Sequence, residues 1–451
     1  NTVSPLILDL DGDGLVETQS KTAGIYFDHA GDQFAESTGW VGKDDGMLVR
    51  DLNGDGTINN GRELFGNNTR LSNGQNAANG FEALKDLDSN GDGKFSSADA
   101  AWNSLRIWKD ADGDAQTDTG ELLSLEQAGI KEFKLAYTNT GNNPDQHGNE
   151  HKQTSTYTTT AGAVRAIHDV WFGTDNWKTI DQRTPIELSS TVAAMPEVIG
   201  SGILGSLRQA MMRDTSGQLI TAVNAYLNTS DLTQRDGLLQ NVLYRWTGVY
   251  DQARSARGPY MEDGRKLAVL EAFFGEQYVQ LGGGQFGPSI NDPGHLASFE
   301  LERLFDKVAV NLGAQLDAQG RDKPFYNAIG LDWNESTQTF AIDASGVETL
   351  IRELSAQQPQ QALDDLGLFI FNLRTLGPTE VLKALSELGN LQGDDIDQLL
   401  AHSNWIWGTS DDDRIEGDLY HANFLFGWKG NDTLQGGNGN DILDGRTGND
   451  Y

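Results

Sequence analysis

Residues 88–99 read Asp-Ser-Asn-Gly-Asp-Gly-Lys-Phe-Ser-Ser-Ala-Asp, and this stretch decides how the first part of the chain folds. Oxygen-bearing side chains stand at positions 1, 3 and 5, glycine at position 6 and a carboxylate at position 12. A calcium-binding EF-hand loop takes ligands from positions 1, 3, 5, 7, 9 and 12, and glycine makes its sharp turn. The spacing therefore predicts a calcium loop. Asp99 replaces the usual bidentate Glu at position 12, which predicts weaker binding.

Two further stretches repeat this alternation of oxygens. Residues 110–121 read Asp-Ala-Asp-Gly-Asp-Ala-Gln-Thr-Asp-Thr-Gly-Glu, with Ala115 at the turn. Alanine is strained there if its φ angle is positive. Residues 51–63 read Asp-Leu-Asn-Gly-Asp-Gly-Thr-Ile-Asn-Asn-Gly-Arg-Glu, so the closing acid Glu63 comes one position late. We expect one residue of this loop to bulge, for example at Gly61.

A fourth stretch, residues 9–20, begins Asp-Leu-Asp-Gly-Asp-Gly but ends in Ser20. It is the weakest self-contained loop, and a ligand from elsewhere, such as Asp44 or Asp45, could complete it. One such stretch alone could be a surface turn, but four together predict calcium sites. The candidate ligands are Asp9, Asp11, Asp13, Glu17, Asp51, Asn53, Asp55, Thr57, Asn59, Glu63, Asp88, Asn90, Asp92, Lys94, Asp99, Asp110, Asp112, Asp114, Gln116 and Glu121.

The last 25 residues carry a different repeat. Residues 427–451 read Gly-Trp-Lys-Gly-Asn-Asp-Thr-Leu-Gln, Gly-Gly-Asn-Gly-Asn-Asp-Ile-Leu-Asp and Gly-Arg-Thr-Gly-Asn-Asp-Tyr, and residues 408–416 are a degenerate copy. This nonapeptide pattern is typical of calcium-binding parallel β-rolls, with apolar residues such as Ile415, Leu434 and Leu443 pointing inwards. Since such a solenoid needs at least three stacked repeats, we expect the chain to be part of a longer one. The candidate ligands are Asp413, Lys429, Asn431, Asp432, Asn438, Asn440, Asp441 and Asp450.

Composition restricts the partners. The chain has 451 residues, 66 acidic and 33 basic side chains and a net charge of −33, which argues against nucleic acid. The absence of cysteine excludes disulfides and thiol chemistry. No apolar run is long enough to predict a membrane span. Many carboxylates together with 53 glycines favour a hard cation such as calcium.

Three zones predict a multi-domain α+β protein. Residues 1–185 form the calcium-loop module, with EF-hand-like loops. Residues 196–400 carry apolar residues at helical spacing and predict an α-helical bundle of unknown role. Residues 406–451 predict the start of a parallel β-roll. The stripes of the bundle include Leu239, Val242 and Leu243 after a cap at Ser230-Asp231, then Leu267, Leu270, Phe274 and Tyr278, then Phe299, Phe305, Val308 and Leu312, with further helices at 346–357, 361–376 and 378–389.

Two weaker motifs are not assigned an activity. Residues 200–205 fit G-x-G-x-x-G but lack a βαβ context, so we expect the start of a helix. His147-Gly-Asn-Glu-His151 fits H-x-x-E-H, a zinc-peptidase pattern that requires a helix. Its flanking Asn and Thr residues disfavour a helix, so a solvated loop is the expected structure.

The first zone resembles the self-processing module of FrpC-type RTX (repeats-in-toxin) proteins, which Gram-negative bacteria secrete. The residues that carry the resemblance are Pro5 to Gly14, Gly39 to Val41 with Asp44-Asp45-Gly46, Leu48 to Gly56, Glu63 to Gly66, Leu87 to Asp92, Leu105 to Trp108 and Leu135 to Tyr137. The resemblance implies several calcium ions, export by type I secretion machinery and an extracellular location.

In that family, calcium folds the module, which then cleaves an Asp-Pro bond just before it through attack by the aspartate carboxylate. Here Ser4 precedes Pro5, and a hydroxyl cannot form the cyclic anhydride. The chain's Asp-Pro bond, Asp292-Pro293, lies far away in a Gly/Pro-rich loop. The leading hypothesis is therefore a secreted calcium-binding RTX protein, toxin- or adhesin-like, that is folded by extracellular calcium. The alternative is calcium-dependent self-processing and protein ligation.

Overall fold

The computed structural model describes residues 2–141, 144–229, 231, 234–281, 289–335, 338–377, 381, 384–385, 404–408, 411–417, 423–427, 430–437, 442–445 and 448–451. These residues fall into two compact units. The first comprises Asn1–Pro185, Gly200–Gly205 and Glu271–Glu276, and the second comprises Ile186–Ile199, Ser206–Leu270 and Gln277–Tyr451. The finer division at 185, 196 and 406 stays a prediction.

The described chain contains both helices and strands, as predicted. The strands are β1 Thr2–Val3, β2 Leu6–Leu8, β3 Thr18–Gln19, β4 Tyr26–Phe27, β5 Phe34–Thr38, β6 Trp40–Val41, β7 Gly46–Val49, β8 Lys94–Ser96, β9 Arg106–Trp108, β10 Leu122–Ser124, β11 Ile130–Lys134, β12 Thr138–Asn139, β13 Glu150–Thr159, β14 Val164–Asp181, β15 Gln280–Leu281, β16 Ser289–Ile290, β17 Gly330–Asn334, β18 Thr339–Asp343, β19 Asn404–Trp407, β20 Arg414–Glu416, β21 Asn423–Phe426, β22 Thr433–Gln435 and β23 Ile442–Asp444. The helices are α1 Gly80–Lys85, α2 Ser190–Ala193, α3 Leu207–Arg213, α4 Gln218–Asn228, α5 Arg235–Trp246, α6 Gly264–Phe274, α7 His295–Gln319, α8 Lys323–Asn327, α9 Ser345–Ser355 and α10 Pro359–Leu376, with a 3₁₀ turn at Trp102–Ser104.

A 12-stranded sheet organises the first unit. Its central order is β10-β9-β7-β2-β14-β13-β11-β8, with β1, β4, β5 and β12 pairing beside this path. Leu6 and Leu8 of β2 face one hydrophobic core, while Ile7 faces a second core on the other side. Because both faces are covered, β2 is apolar throughout instead of alternating with polar residues.

The four aspartate loops leave this framework mostly from strand ends. Asp9 follows β2, Asp51 follows β7 and Asp110 follows β9, while Asp88 follows helix α1. Three of the four loops with EF-hand spacing therefore follow a strand, and they do not lie in the helix–loop–helix of an EF-hand. The sheet fixes the positions of three loop entries, so several loops lie at the edges of one rigid framework.

The second unit contains the predicted helical stripes with different ends. Helix α5 begins at Arg235, later than the predicted cap, and Ser230 lies outside the described residues. Helix α6 ends at Phe274, before Tyr278. Phe299 in α7 is 54% exposed, against the predicted stripe, and the Arg303 guanidinium lies 5.7 Å from its ring centroid. Most of the predicted helix 378–389 also lies outside the described residues.

A buried ion pair crosses the helices of this unit. Arg235 of α5 donates to both carboxylate oxygens of Asp317 in α7 at 2.6 Å. Tyr226 and Asn372 also donate to Asp317 Oδ2, at 3.0 and 3.1 Å. These bonds satisfy a carboxylate that would otherwise be costly to bury.

Two parallel sheets lie near the end of the chain. One has the order β19-β21-β23, and the other pairs β20 with β22. Asn404 pairs with Asn423, and Arg414 pairs with Thr433, so these two strand pairs have the same offset along the chain. The offset of the β21–β23 pair, in which Phe424 pairs with Ile442, is one residue shorter. Among the described residues, no helix combines the length and apolar character that crossing a bilayer requires.

Candidate calcium centres

The first aspartate of each predicted loop organises the backbone that follows it. Asp88 Oδ1 accepts a hydrogen bond from the Gly91 amide at 2.8 Å, and its Oδ2 accepts one from the Gly93 amide at 3.0 Å. Gly93 has a φ of +78°, which glycine adopts without strain. The same pair of bonds runs from Gly54 and Gly56 to Asp51, from Gly113 and Ala115 to Asp110, and from Gly12 and Gly14 to Asp9.

The closing acid pins each loop at two further amides. Asp99 accepts from the amides of Ser89 and Ser96, both at 2.9 Å. Glu121 and Glu63 make the equivalent pairs of bonds, with Ala111 and Asp118, and with Leu52 and Asn59, respectively. Glu63 binds these two amides although it comes one position late in the sequence. The Asn60–Glu63 turn, which contains Gly61, takes up the extra residue.

Asp45 closes the loop that opens at Asp9. Its Oδ1 accepts from the Leu10 amide at 3.0 Å, and its Oδ2 accepts from the Glu17 amide at 2.8 Å. These are the same two amide positions that the closing acids of the other three loops bind. Carboxylate oxygens of Asp9, Asp11 and Asp45 all lie within 4.8 Å of one another. Of the two candidates that the sequence left open, the structure therefore brings Asp45, and not the exposed Asp44, to this loop.

The electrostatics of this first loop suit a cation. Burial, together with the neighbouring Glu17 carboxyl, raises the pKa of Asp45 to about 8. Glu17 Oε2 is buried and has no hydrogen-bond partner among the described residues. Crowded carboxyls repel each other when ionised, and a bound divalent cation removes that repulsion. The donor set of carboxylates and backbone carbonyls is the one that calcium prefers.

The loop at Asp110 is tied to the aromatic core. Trp40 Nε1 donates to Asp110 Oδ2 at 2.6 Å, and Trp108 Nε1 lies 3.3 Å from Glu121 Oε2. Both indoles are fully buried. Oxygens of Asp110, Asp112 and Asp114 all lie within 4.8 Å of one another. Ala115 at the turn has a φ of +60°, so the anticipated strain is present.

The remaining predicted ligands of these loops are mostly solvent-exposed. Asp13, Asn53, Asp55, Asn90 and Asp92 surround their loops with side chains that are open to water. In an EF-hand loop the residue at position 7, here Lys94 or Gln116, binds calcium through its backbone carbonyl. The Lys94 ammonium instead pairs with Glu132 at 2.9 Å.

A fifth loop with this backbone was missed in the sequence. Asp28 accepts from the Gly31 amide at 2.6 Å and from the Gln33 amide at 2.8 Å, and Glu36 Oε2 accepts from the His29 amide at 3.0 Å. Ala30 at position 3 has no side-chain oxygen, and Gln33 takes the glycine position with a φ of +73°. The signal that was present is Asp-x-x-Gly-Asp, which the search for alternating oxygens does not select.

Aspartates of the terminal repeats form a ladder of hydrogen bonds between successive repeats. The Asp413 amide donates to Asp432 Oδ1 at 2.8 Å, and the Asp432 amide donates to Asp450 Oδ1 at 3.0 Å. The first of these bonds joins residues 19 apart in sequence. Asp432 Oδ2 is buried without a hydrogen-bond partner among the described residues, and burial together with the nearby aspartates raises the pKa of Asp432. This oxygen is available to a cation.

The other predictions for the repeats have mixed outcomes. The Asn431 amide donates to Asp412 Oδ1 at 2.7 Å. The residues that precede Asp413 and Asp432 are therefore hydrogen-bonded to each other as well. Ile415 is buried, as expected for a residue that points inwards, whereas Leu443 is 47% exposed. The candidate ligands Lys429, Asn438, Asn440 and Asp441 lie outside the described residues.

Comparison with known proteins identifies two regions of the chain. The SPM domain family matches residues 6–173. The RTX calcium-binding nonapeptide repeat (4 copies) matches residues 401–419 and 420–451. The iron-regulated protein FrpA of Neisseria meningitidis serogroup C is 32% identical over 406 residues, which is 80% of this chain and 35% of FrpA. The chain thus spans about a third of the length of this relative. It carries an SPM domain and the repeats of a calcium-binding RTX protein, and it resembles the FrpC-like RTX (repeats-in-toxin) proteins.

Proposed function

We propose that this chain is a calcium-folded segment of a secreted, toxin- or adhesin-like RTX protein. The observation behind the proposal is the convergence of Asp9, Asp11 and Asp45, whose carboxylate oxygens all lie within 4.8 Å of one another. Asp9 and Asp45 are buried, and the Glu17 carboxyl lies beside Asp45. Such a cluster is costly without a cation. Calcium is the cation of choice because all the donors are oxygens and the loops are glycine-turned.

The energetic logic links binding to folding. A cation that binds only the folded chain adds its binding free energy to the stability of the fold. With a net charge of −33, the calcium-free chain is destabilised by self-repulsion. We propose that the low calcium level of the bacterial cytosol keeps the chain loose for export by type I secretion machinery. Millimolar extracellular calcium then folds it.

The terminal strands support a second element of this proposal. Two parallel sheets and the Asp413–Asp432–Asp450 ladder fit the beginning of a parallel β-roll with calcium between its coils. The calcium loops of the first unit would then fold with the sheet, and the roll would fold as a separate calcium-dependent part.

Tryptophan fluorescence tests the proposal directly, because Trp40 contacts the first acid and Trp108 the closing acid of one proposed calcium loop. Calcium should shift the emission of the chelator-treated chain to shorter wavelength, and near-ultraviolet circular dichroism should appear over the same calcium range. Magnesium at the same ionic strength is the control, since it demands a smaller octahedral site. Unchanged emission and an unchanged melting temperature in excess EGTA would contradict the proposal.

Self-processing before Pro5 is the second candidate function. It is favoured by the surroundings of Ser4, which is buried next to Asp169. Burial raises the pKa of Asp169 to about 7, although the Gly80 amide and the Ser4 hydroxyl act against this shift. Its Oδ1 has no hydrogen-bond partner among the described residues. A buried acid therefore lies beside the bond, while the nucleophilic carboxylate of the family is replaced by a hydroxyl.

A further inference from the structure

A cleft in the first unit gathers nitrogen ligands that calcium does not use. The cleft has a volume of about 540 Å³ and is lined by Asp145, His147, His151 and His168, next to Thr18. The cleft therefore contains three of the seven histidines of the chain. His151 lies on β13 and His168 on β14, while Asp145 and His147 come from the preceding loop.

His151 stands at the centre of the group. Its Nδ1 is 2.9 Å from Nδ1 of His168, and its Nε2 is 3.4 Å from Oδ2 of Asp145. The first distance is that of an N–H···N hydrogen bond. The second is long for a charge-assisted hydrogen bond, which measures about 2.7–2.9 Å. It matches two ligand atoms on one tetrahedral ion with bonds of about 2.0–2.1 Å, which stand about 3.3 Å apart.

The proton between the two histidines decides what faces Asp145. When His151 Nδ1–H donates to His168, its Nε2 carries only a lone pair. In that tautomer a lone pair and a carboxylate oxygen face each other, and a metal ion between them turns the repulsion into attraction. In the other tautomer His168 donates to His151 Nδ1, and His151 Nε2–H donates to Asp145. Metal-bound histidines have the first arrangement, because the ring nitrogen away from the metal is held by a hydrogen-bond partner.

The carboxylate of Asp145 is already held in place. The Thr18 hydroxyl donates to its Oδ2 at 2.5 Å and lies 3.3 Å from Nδ1 of His147. The backbone amides of His147 and Asn149 donate to Asp145 Oδ1 at 2.8 and 3.0 Å. The loop therefore presents a fixed oxygen with the exposed His147 ring beside it. To join Asp145 and His151 on one ion, that ring would have to rotate about its side-chain bonds.

We propose that Asp145 Oδ2, His151 Nε2 and His147 form a site for a transition-metal ion of the zinc class, with His168 orienting His151. Imidazole nitrogens with one carboxylate suit zinc, whereas calcium takes oxygen ligands. Three protein ligands leave a fourth position open to water from the cleft. The H-x-x-E-H spacing thus contributes its two histidines from a loop and a strand, without the helix of a peptidase and with Glu150 outside the ligand set.

The test uses the full chain saturated with calcium, so that the calcium loops are occupied. Titration calorimetry with Zn²⁺ should give one equivalent, and Co²⁺ at the same site should give the visible absorption of a four-coordinate ion. Asp145→Asn and His151→Gln should each weaken Zn²⁺ binding at least tenfold. His168→Gln should weaken binding about 10–100-fold while the Co²⁺ spectrum is retained. The exposed His295→Gln is the matched control and should bind like the wild type.

The melting temperature of each variant in calcium shows whether it is folded. Asp145→Asn is nearly isosteric and decides the question if His151→Gln does not fold. Absence of a zinc equivalent in the wild type would overturn the proposal. Wild-type affinity in folded Asp145→Asn would overturn it as well, because it would place zinc elsewhere.

Discussion

Carboxylate oxygens of Asp9 and Asp45 lie within 4.8 Å of each other, although strands β3 to β6 lie between these residues along the chain. One loop therefore takes its closing acid from a distant part of the same sheet framework. Binding of a cation there ties β2 to the entry of β7, whereas the other three loops close on themselves. We expect this site to report on the folding of the whole first unit.

The first prediction concerns that closing acid. Asp45→Asn should remove about one equivalent of bound calcium and lower the melting temperature in calcium, because it deletes a buried charged ligand. At a calcium concentration 100 times the Kd, a lost site removes about 2.7 kcal/mol of stabilisation. Asp44→Asn, at the exposed neighbouring position, is the matched control. Calorimetric stoichiometry measures the effect, and equal stoichiometry in both variants would assign the site to other residues.

The second prediction ranks two loops that spacing alone treats as equals. Asp110 is fully buried and accepts from Trp40 Nε1, whereas Asp88 is half-buried. In calcium, Asp110→Ala should destabilise the folded protein by about 1–3 kcal/mol more than Asp88→Ala, because it removes a loop acid and also leaves a buried indole N–H without a partner. Urea unfolding in millimolar calcium measures the difference. Equal urea midpoints for the two variants would show that the Trp40–Asp110 hydrogen bond does not contribute to the difference in stability.

The third prediction tests backbone strain at the sixth loop position. Gln33 is exposed with a φ of +73°, and Gly93 occupies the equivalent position with a φ of +78°. The left-handed conformation costs a non-glycine residue about 1–2 kcal/mol. Gln33→Gly should therefore raise the melting temperature, and Gly93→Ala should lower it, with no atom close to the added methyl group. Thermal unfolding in calcium compares the pair, and shifts of the same sign would show that strain is not the cause.

These loops show how much the sequence could predict. The two loops at 88–99 and 110–121 were predictable because the backbone hydrogen bonds to their first and last acids are local, so spacing alone encodes the turn. Asp45 could only be offered as one of two candidates, since a ligand from a distant strand depends on the tertiary structure. The Asp28 loop escaped because Ala30 and Gln33 break the oxygen and glycine pattern while the backbone stays the same.

The helical region illustrates a different limit. Apolar spacing predicted α5, α6, α7, α9 and α10, since a buried face requires it. It could not foresee that Phe299 lies outside the core, because one exposed turn fits the same periodicity. Nor could it pair Arg235 with Asp317, whose contact depends on how two helices pack.

The fourth prediction is a pH dependence in the second unit. Burial, with the nearby Asp317 charge, raises the pKa of Asp322 to about 7. The folded state therefore binds a proton more tightly than the unfolded state, whose aspartate pKa is about 3.9. Stability should fall as the pH rises from about 4 to 7, by up to about 1.4 kcal/mol per pH unit, and then level off.

Asp322→Asn should remove that part of the pH dependence, because asparagine keeps an acceptor for Asn372 and carries no charge. Other buried acids also titrate, so the informative quantity is the difference between variant and wild type, from urea unfolding at pH 5 and pH 8. Exposed Asp332→Asn is the control. A constant difference across this pH range would mean that Asp322 does not gain a proton on folding.

The last prediction is that the chain does not cleave itself before Pro5 but becomes able to when Ser4 is replaced by aspartate. The reaction needs a carboxylate to attack its own carbonyl carbon, so that a cyclic anhydride forms and the bond to the proline nitrogen breaks. An aspartate with an ordinary pKa of about 3.9 is ionised at pH 7, whereas a serine hydroxyl needs a base. The proline nitrogen must gain a proton, and Asp169, with its pKa raised to about 7, is the neighbouring acid.

A chain extended upstream by a short tag, incubated in millimolar calcium, provides the test. The wild type should stay intact for hours, while Ser4→Asp should release a fragment that begins at Pro5, detected by mass spectrometry. Ser4→Asn matches the shape without the carboxylate and should stay intact. Adding Asp169→Asn to Ser4→Asp should slow release if that acid supplies the proton. Cleavage of the wild type would make self-processing the leading function. If the Ser4→Asp chain stays intact although its calcium-dependent fluorescence shows that it is folded, the module is a calcium-binding scaffold only.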